Sequence, residues 1–176
     1  MHDVSVTGIL DGLSTLRQKA RMMNAYDRKL SQYMQEHHID GEHLVFSQSC
    51  HSVAEAAAAA GVLPSDLVKN ICMLDAQGSA IIAIVKGEDR VSASRVAKAL
   101  QIERPRTAGP EEILEKTGYP CGGTPSFGYE ARFLIDPKVM EKDFVYTGGG
   151  SEYALVRVSP QELMRANQGH VVRIRS

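Results

Sequence analysis

From Ile9 the apolar residues Leu13, Leu16, Ala20 and Met23 recur at three- to four-residue steps, and Tyr26, Leu30 and Met34 prolong the stripe. That spacing predicts a helix, or a bent helical pair, with one buried face. The polar stretch from His37 to Glu42, with Gly41 inside it, ends the helical region, and the apolar run Leu44, Val45 and Phe46 starts a strand. Ser52 and Glu55 stand three residues apart, so their side chains can satisfy free N–H groups reciprocally at the start of a short alanine-rich helix, which Gly61 stops.

Residues 67–74 and 80–86 are apolar runs rich in β-branched side chains, separated by Asp75, Ala76, Gln77 and Gly78. They read as a hairpin in the sheet core. Helical spacing returns over 91–100, and a second helix opens at Pro110 and closes at Gly118, with a short strand expected between the two. From 119 to 129 all periodicity disappears and glycine recurs, which marks a shaped loop. Strands follow over 132–135, 143–147 and 152–158; Ser159 with Glu162 repeats the capping pattern, and a strand over 170–174 finishes the chain. The composite is an α+β domain over 41–176, a mixed β-sheet with peripheral helices, preceded by an N-terminal helical extension over 1–40.

At 176 residues, 43% hydrophobic and 23% charged, the chain suits one domain with a substantial core. No run of about 18 apolar residues is present and the N-terminus has no basic leader, so no membrane association is expected and the cytoplasm is the expected location. Cys50, Cys72 and Cys121 are odd in number and far apart, which suits neither a disulfide framework nor a zinc-binding pair. A formal net charge of −1 provides no global attraction for polyphosphate. Locally, Lys86, Arg90, Arg95, Lys98, Arg104 and Arg106 outnumber Glu88, Asp89 and Glu103, which describes either a solvated helix face or an RNA-facing patch.

Lys69 interrupts an otherwise apolar run, so its ammonium must pair, snorkel or change protonation, unless alternation simply places it on an exposed face. Gly122, Gly123, Thr124, Pro125, Ser126, Phe127 and Gly128 form a loop whose backbone can approach a ligand closely and aim N–H groups at an oxygen; a structural turn has the same composition. The loop fits neither phosphate-binding glycine fingerprint, and Gly148, Gly149 and Gly150 suit a hairpin turn. The six histidines are dispersed, and Cys50 with His51 reads as a turn before a helix, so neither a metal, nor a cofactor, nor a nucleophilic triad is expected.

In register, the segment Asp66 to Asn70, the segment Arg95 to Leu100, Thr117–Gly118–Tyr119 running into the 122–128 loop, Phe133 to Asp136, Gly148–Gly149 and the helix start at Ser159 resemble the YbaK and prolyl-tRNA-synthetase-associated editing-domain family. The resemblance extends from about Leu44 to the C-terminal strand. It implies a barrel-like mixed sheet and a pocket holding the family's functional lysine, which falls on Lys69. It implies hydrolysis of the ester that joins an amino acid to mismatched tRNA, by a free-standing enzyme acting in trans on small residues such as alanine, serine or cysteine. Gly122, Gly123, Thr124, Ser126, Gly128 and Gly149 become substrate-binding candidates, and Arg95 and Lys98 candidates for the tRNA acceptor end, with a synthetase as a further partner. Many relatives carry proline four residues after the first loop glycine, where this chain has Ser126. A non-catalytic aminoacyl- or nucleotide-binding module of a synthetase assembly is the alternative reading.

Overall fold

The computed structural model describes residues 15–176; Ile9 and Leu13 of the first predicted stripe lie outside the described residues. Helix α1 covers 15–22 and α2 covers Ala25–Glu36. Asn24 sets the bend between them: its side chain accepts from Asp27 N at 3.0 Å while the Asp27 carboxylate accepts from Asn24 N at 3.1 Å. This reciprocal cap begins a new helix. Only the second helix buries the predicted stripe, through Leu30 and Met34, whereas Leu16 is 64% exposed.

Strands β1 (Gly41–Val45), β6 (Val145–Gly148) and β7 (Ala154–Val158) form an antiparallel sheet in the order β1-β7-β6. A mixed sheet runs in the order β4-β2-β3-β5-β8, from β2 (Val68–Leu74), β3 (Ala80–Lys86), β4 (Arg106–Thr107), β5 (Arg132–Ile135) and β8 (His170–Val171). The predicted hairpin is β2 with β3, in antiparallel register from Val68↔Lys86 to Leu74↔Ala80. Strand β5 lies parallel to β3 and to β8.

Helices α3 (Val53–Ala60), α4 (Ala93–Leu100), α5 (Pro110–Thr117), α6 (Pro137–Met140) and α7 (Pro160–Asn167) complete the α+β domain. The capping box at Ser52 forms as expected, but at Ser159 only half of one appears. Ser159 accepts from Glu162 N, while the Glu162 carboxylate instead accepts from Asp40 N at 3.0 Å and pairs with Arg165, tying α7 to the start of β1.

Strand β3 is buried on both faces, which explains its unbroken apolar run. On one side Ile82 and Ile84 meet Val68, Cys72, Tyr119, Phe127, Val156 and Leu30 of α2; on the other Ile81, Ala83 and Val85 meet Met73, Val96 of α4, Leu134 and Ile174. Each such aliphatic side chain contributes about 1.5–3 kcal/mol on burial. Helix α2 is thereby a packed layer of this core.

The expected barrel-like closure is not observed. Closure needs a continuous hydrogen-bonded ladder around the sheet, whereas here the two sheets meet through one isolated parallel bridge between Leu67 and Tyr146. Strand β4 is only two residues long and covers β2 at Met73 and Leu74 alone. The rest of that edge of β2 faces β6 across a cavity.

Candidate active site

The cavity measures about 290 Å³. One wall is the uncovered end of β2, including Lys69, Asn70 and Ile71, and another is Tyr146, Thr147 and Gly148 of β6. The start of α3 and the residues before it, Cys50, His51, Ser52 and Val53, close a third side, and Cys121, Gly122 and Thr124 of the long loop form the rim. By alternation along β2, Lys69 lies on the same face as Ile71 and Met73, and Asn70 on the face of Val68 and Cys72. Both reach the cavity because it straddles the strand edge. Cys72 O accepts from Ala108 N on this edge, so the backbone groups of Asn70, two residues earlier, point the same way.

Loop and sheets are joined by a ring of three side chains. Asn70 Nδ2 donates to Thr147 Oγ1 at 3.0 Å, and Ser126 Oγ donates to Asn70 Oδ1 at 2.6 Å. With its proton so committed, Ser126 accepts from the Thr147 hydroxyl at 2.7 Å, which closes the ring. Asn70 Nδ2 also donates to Thr124 O at 2.9 Å, and Asn167 Nδ2 holds Ser126 O at 2.9 Å. Ser126 and Thr147 are buried, so the network is fully satisfied where an unpaired group would be costly.

The loop backbone is pressed against neighbouring backbone. A Cβ on Gly123 would stand 2.6 Å from Gly150 O, and one on Gly148 would stand 2.7 Å from the Thr124 carbonyl carbon and closer to its oxygen. Neither position admits a side chain without moving main chain. Gly150 N donates to Gly123 O at 2.8 Å, which fixes the turn after β6 to the loop. From below, buried His43 donates through Nε2 to Gly149 O at 2.7 Å, and burial pushes the imidazole pKa down. His43 is therefore held as a neutral donor.

Lys69 is half-buried and makes no hydrogen bond or ion pair among the described residues. Partial burial, then the nearby Arg90 charge, pushes its pKa down, with Asp89 opposing. An ammonium with no fixed partner at the wall of a polar cavity is available to a bound anion or a developing oxyanion.

The sequence candidates therefore divide by position. Lys69, Gly122 and Thr124 line the cavity; Gly123, Ser126 and Gly149 stand behind its wall as supports. Gly128 lies on the far side of the loop, in a groove beside Lys29 and Tyr33 of α2. Arg95 and Lys98 are exposed on α4 and form no ion pair among the described residues, whereas Lys86 pairs with Glu88 at 3.2 Å and Arg106 with Glu112 at 2.6 Å.

Two residues read from sequence as a plain turn also line the cavity. Cys50 is buried, and its thiol pKa is pushed up to about 11 by burial and Glu55. His51 packs on Gly122, with Nδ1 3.8 Å from Glu152 Oε2. Both of its partners are distant in sequence, and no local motif points to them.

Comparisons with known proteins place the chain in a family and match its fold. Residues 47–166 match the aminoacyl-tRNA editing domain model. The chain is 24% identical over 120 residues to the uncharacterised protein YwhH of Bacillus subtilis strain 168, covering 67% of this chain and 76% of YwhH. It is 34% identical over 91 residues to a proline–tRNA ligase of Bacillus licheniformis, covering 52% of this chain but 16% of the ligase. A crystal structure provisionally described as a trans-editing enzyme for prolyl tRNA synthetase superposes with a TM-score of 0.80 at 24% identity, over 88% of this chain and 99% of the other, and shares the fold. Among the described residues no helix is long and apolar enough to cross a membrane. The chain belongs to the aminoacyl-tRNA editing domain family.

Proposed function

We propose that this protein is a trans-acting deacylase that hydrolyses the ester between a small amino acid (alanine, serine or cysteine) and the terminal ribose of a mischarged tRNA. The observation that carries the reading is the unpaired Lys69 ammonium at the wall of a small cavity whose rim is glycine-rich backbone. An aminoacyl ester is already activated, so positioning water and stabilising the oxyanion suffice. A well-placed donor is worth about 3–4 kcal/mol to such a transition state. Lys69 supplies positive charge to the carbonyl oxygen or the terminal phosphate, Gly122 and Thr124 supply backbone at the rim, and Gly123, Ser126, Gly128 and Gly149 hold the loop that carries them.

The volume of about 290 Å³ lies at the lower end for small-molecule sites and favours a short aminoacyl group. Editing of this kind answers a physical limit, since a synthetase pocket discriminates one methylene by only about 1–3 kcal/mol. Arg95 and Lys98 are proposed to meet acceptor-stem phosphates, and the likeness to segments of proline–tRNA ligases supports work alongside that synthetase in the cytoplasm. The test is a panel of mischarged tRNAs with simple aminoacyl esters as controls. Release of small amino acids from tRNA, faster than from the simple esters, is expected; tight binding without release would point to a capture module instead.

A further inference from the structure

We infer that His51 is the proton-transfer group of this cavity, an inference that rests on the deacylase reading above. Its ring lines the cavity and lies directly on the loop backbone: a Cβ on Gly122 would stand 2.8 Å from His51 Cε1 and closer still to Nδ1. Gly122 has φ +89°, so a side chain there is excluded by backbone conformation and by the imidazole together. The ring is thus seated between the loop and the segment that enters α3, with its side chain 54% exposed and open to water.

The groups facing it are few. Glu152, from the turn before β7, places Oε2 3.8 Å from Nδ1, and Glu55 of α3 adds a second carboxylate nearby. Cys50, Cys121 and Lys69 line the same cavity. With Nδ1–H turned toward Glu152, Nε2 keeps the lone pair that can accept a proton.

Three other polar side chains of the cavity are committed or unsuited. The Asn70 amide and Thr147 hydroxyl are consumed in the side-chain ring with Ser126, and the Cys50 thiol keeps its proton at neutral pH. Lys69 contributes charge. Imidazole is the ordinary side chain that changes protonation between pH 5 and 8, the range in which aminoacyl-tRNA must be hydrolysed.

The step balances without a further reactant. Water oxygen attacks the ester carbonyl carbon as His51 Nε2 takes one water proton; the negative charge that develops on the carbonyl oxygen falls to Lys69 and the loop backbone. The carbon–oxygen bond to ribose then breaks, and the imidazolium returns the proton to the ribose oxygen. The products are free amino acid and tRNA with its terminal hydroxyl restored.

The experiment is single-turnover deacylation of alanyl-, seryl- and cysteinyl-tRNA between pH 5 and 8.5, after subtraction of the enzyme-free rate, for the parent, His51→Ala, His51→Gln and Glu152→Gln. The parent rate should fall on the acid side as the imidazole protonates. His51→Ala and His51→Gln should lose about 100-fold in rate and the acid limb with it, with folding verified by circular dichroism. Added imidazole should restore part of the His51→Ala rate. Glu152→Gln should lower the rate by less than loss of the ring does, because the carboxylate helps to orient the imidazole. An unchanged acid limb in His51→Ala, or a slower enzyme that keeps the limb and ignores imidazole, overturns the inference while the deacylase reading stands. A parent inactive on all three tRNAs overturns both.

Discussion

Ser126 Oγ donates to Asn70 Oδ1 at 2.6 Å, so a side chain of the glycine loop is tied directly to strand β2. Because Asn70 adjoins Lys69, the same hydrogen bond fixes the strand segment that presents the ammonium to the cavity.

Ser126→Ala should therefore destabilise the protein by about 1–3 kcal/mol, since it leaves the half-buried Asn70 carbonyl and the buried Thr147 hydroxyl without their partner. Urea unfolding measures this. A double-mutant cycle with Thr147→Val should show coupling of at least about 0.5 kcal/mol; strict additivity would contradict a shared ring. Ser126→Pro should reorder the preference among alanyl, seryl and cysteinyl esters.

Gly148→Ala should lower both the unfolding midpoint and the activity on every substrate, because its Cβ meets the Thr124 carbonyl, which is backbone and cannot swing aside. Gly61→Ala is the control: nothing lies within 4 Å of its Cβ, and only its φ of +68° resists. Its cost should stay near 1 kcal/mol. Equal effects at the two positions would contradict the close packing of loop and turn.

Much of this arrangement was legible in the chain. The β2–β3 hairpin, the helix at Pro110 and strand Arg132–Ile135 follow from local pattern, because each carries its own periodicity and turn residues. Lys69 stood out as a charge in an apolar run. The seating of His51 on Gly122, the return of Glu162 to Asp40 and the failure of the sheets to close depend on partners far along the chain, and none leaves a local periodicity to read.

Asp136 gives the acid dependence of stability a definite sign. Burial pushes its pKa up, but hydrogen bonds from the N–H groups of Lys138, Ile174 and Arg175 and from the Arg175 guanidinium outweigh this and hold the carboxyl below the usual range. A depressed folded pKa adds stability above about pH 4, the unfolded aspartate value, and that stability is lost as pH falls through the folded value. Asp136→Asn should be clearly less stable than the parent at pH 7, and the gap should narrow below about pH 4. A gap independent of pH would contradict the assignment.

Replacing exposed Arg95 and Lys98 by alanine should weaken tRNA binding and flatten its salt dependence, since fewer counterions are released on association. Unchanged affinity and salt slope would remove α4 from the RNA-binding surface.

The most direct measurement is single-turnover hydrolysis of a responsive mischarged tRNA by Lys69→Ala at saturating enzyme, with circular dichroism and tRNA affinity measured on the same preparation. Lys69 has no partner among the described residues to lose, so the fold should survive. The rate should fall about 100-fold, as when one oxyanion donor is removed, with a smaller loss of affinity. Lys69→Arg should rescue poorly, because the planar guanidinium does not occupy the place of a compact ammonium. Near-parental hydrolysis by folded Lys69→Ala would contradict the account of this cavity as a lysine-centred deacylase site.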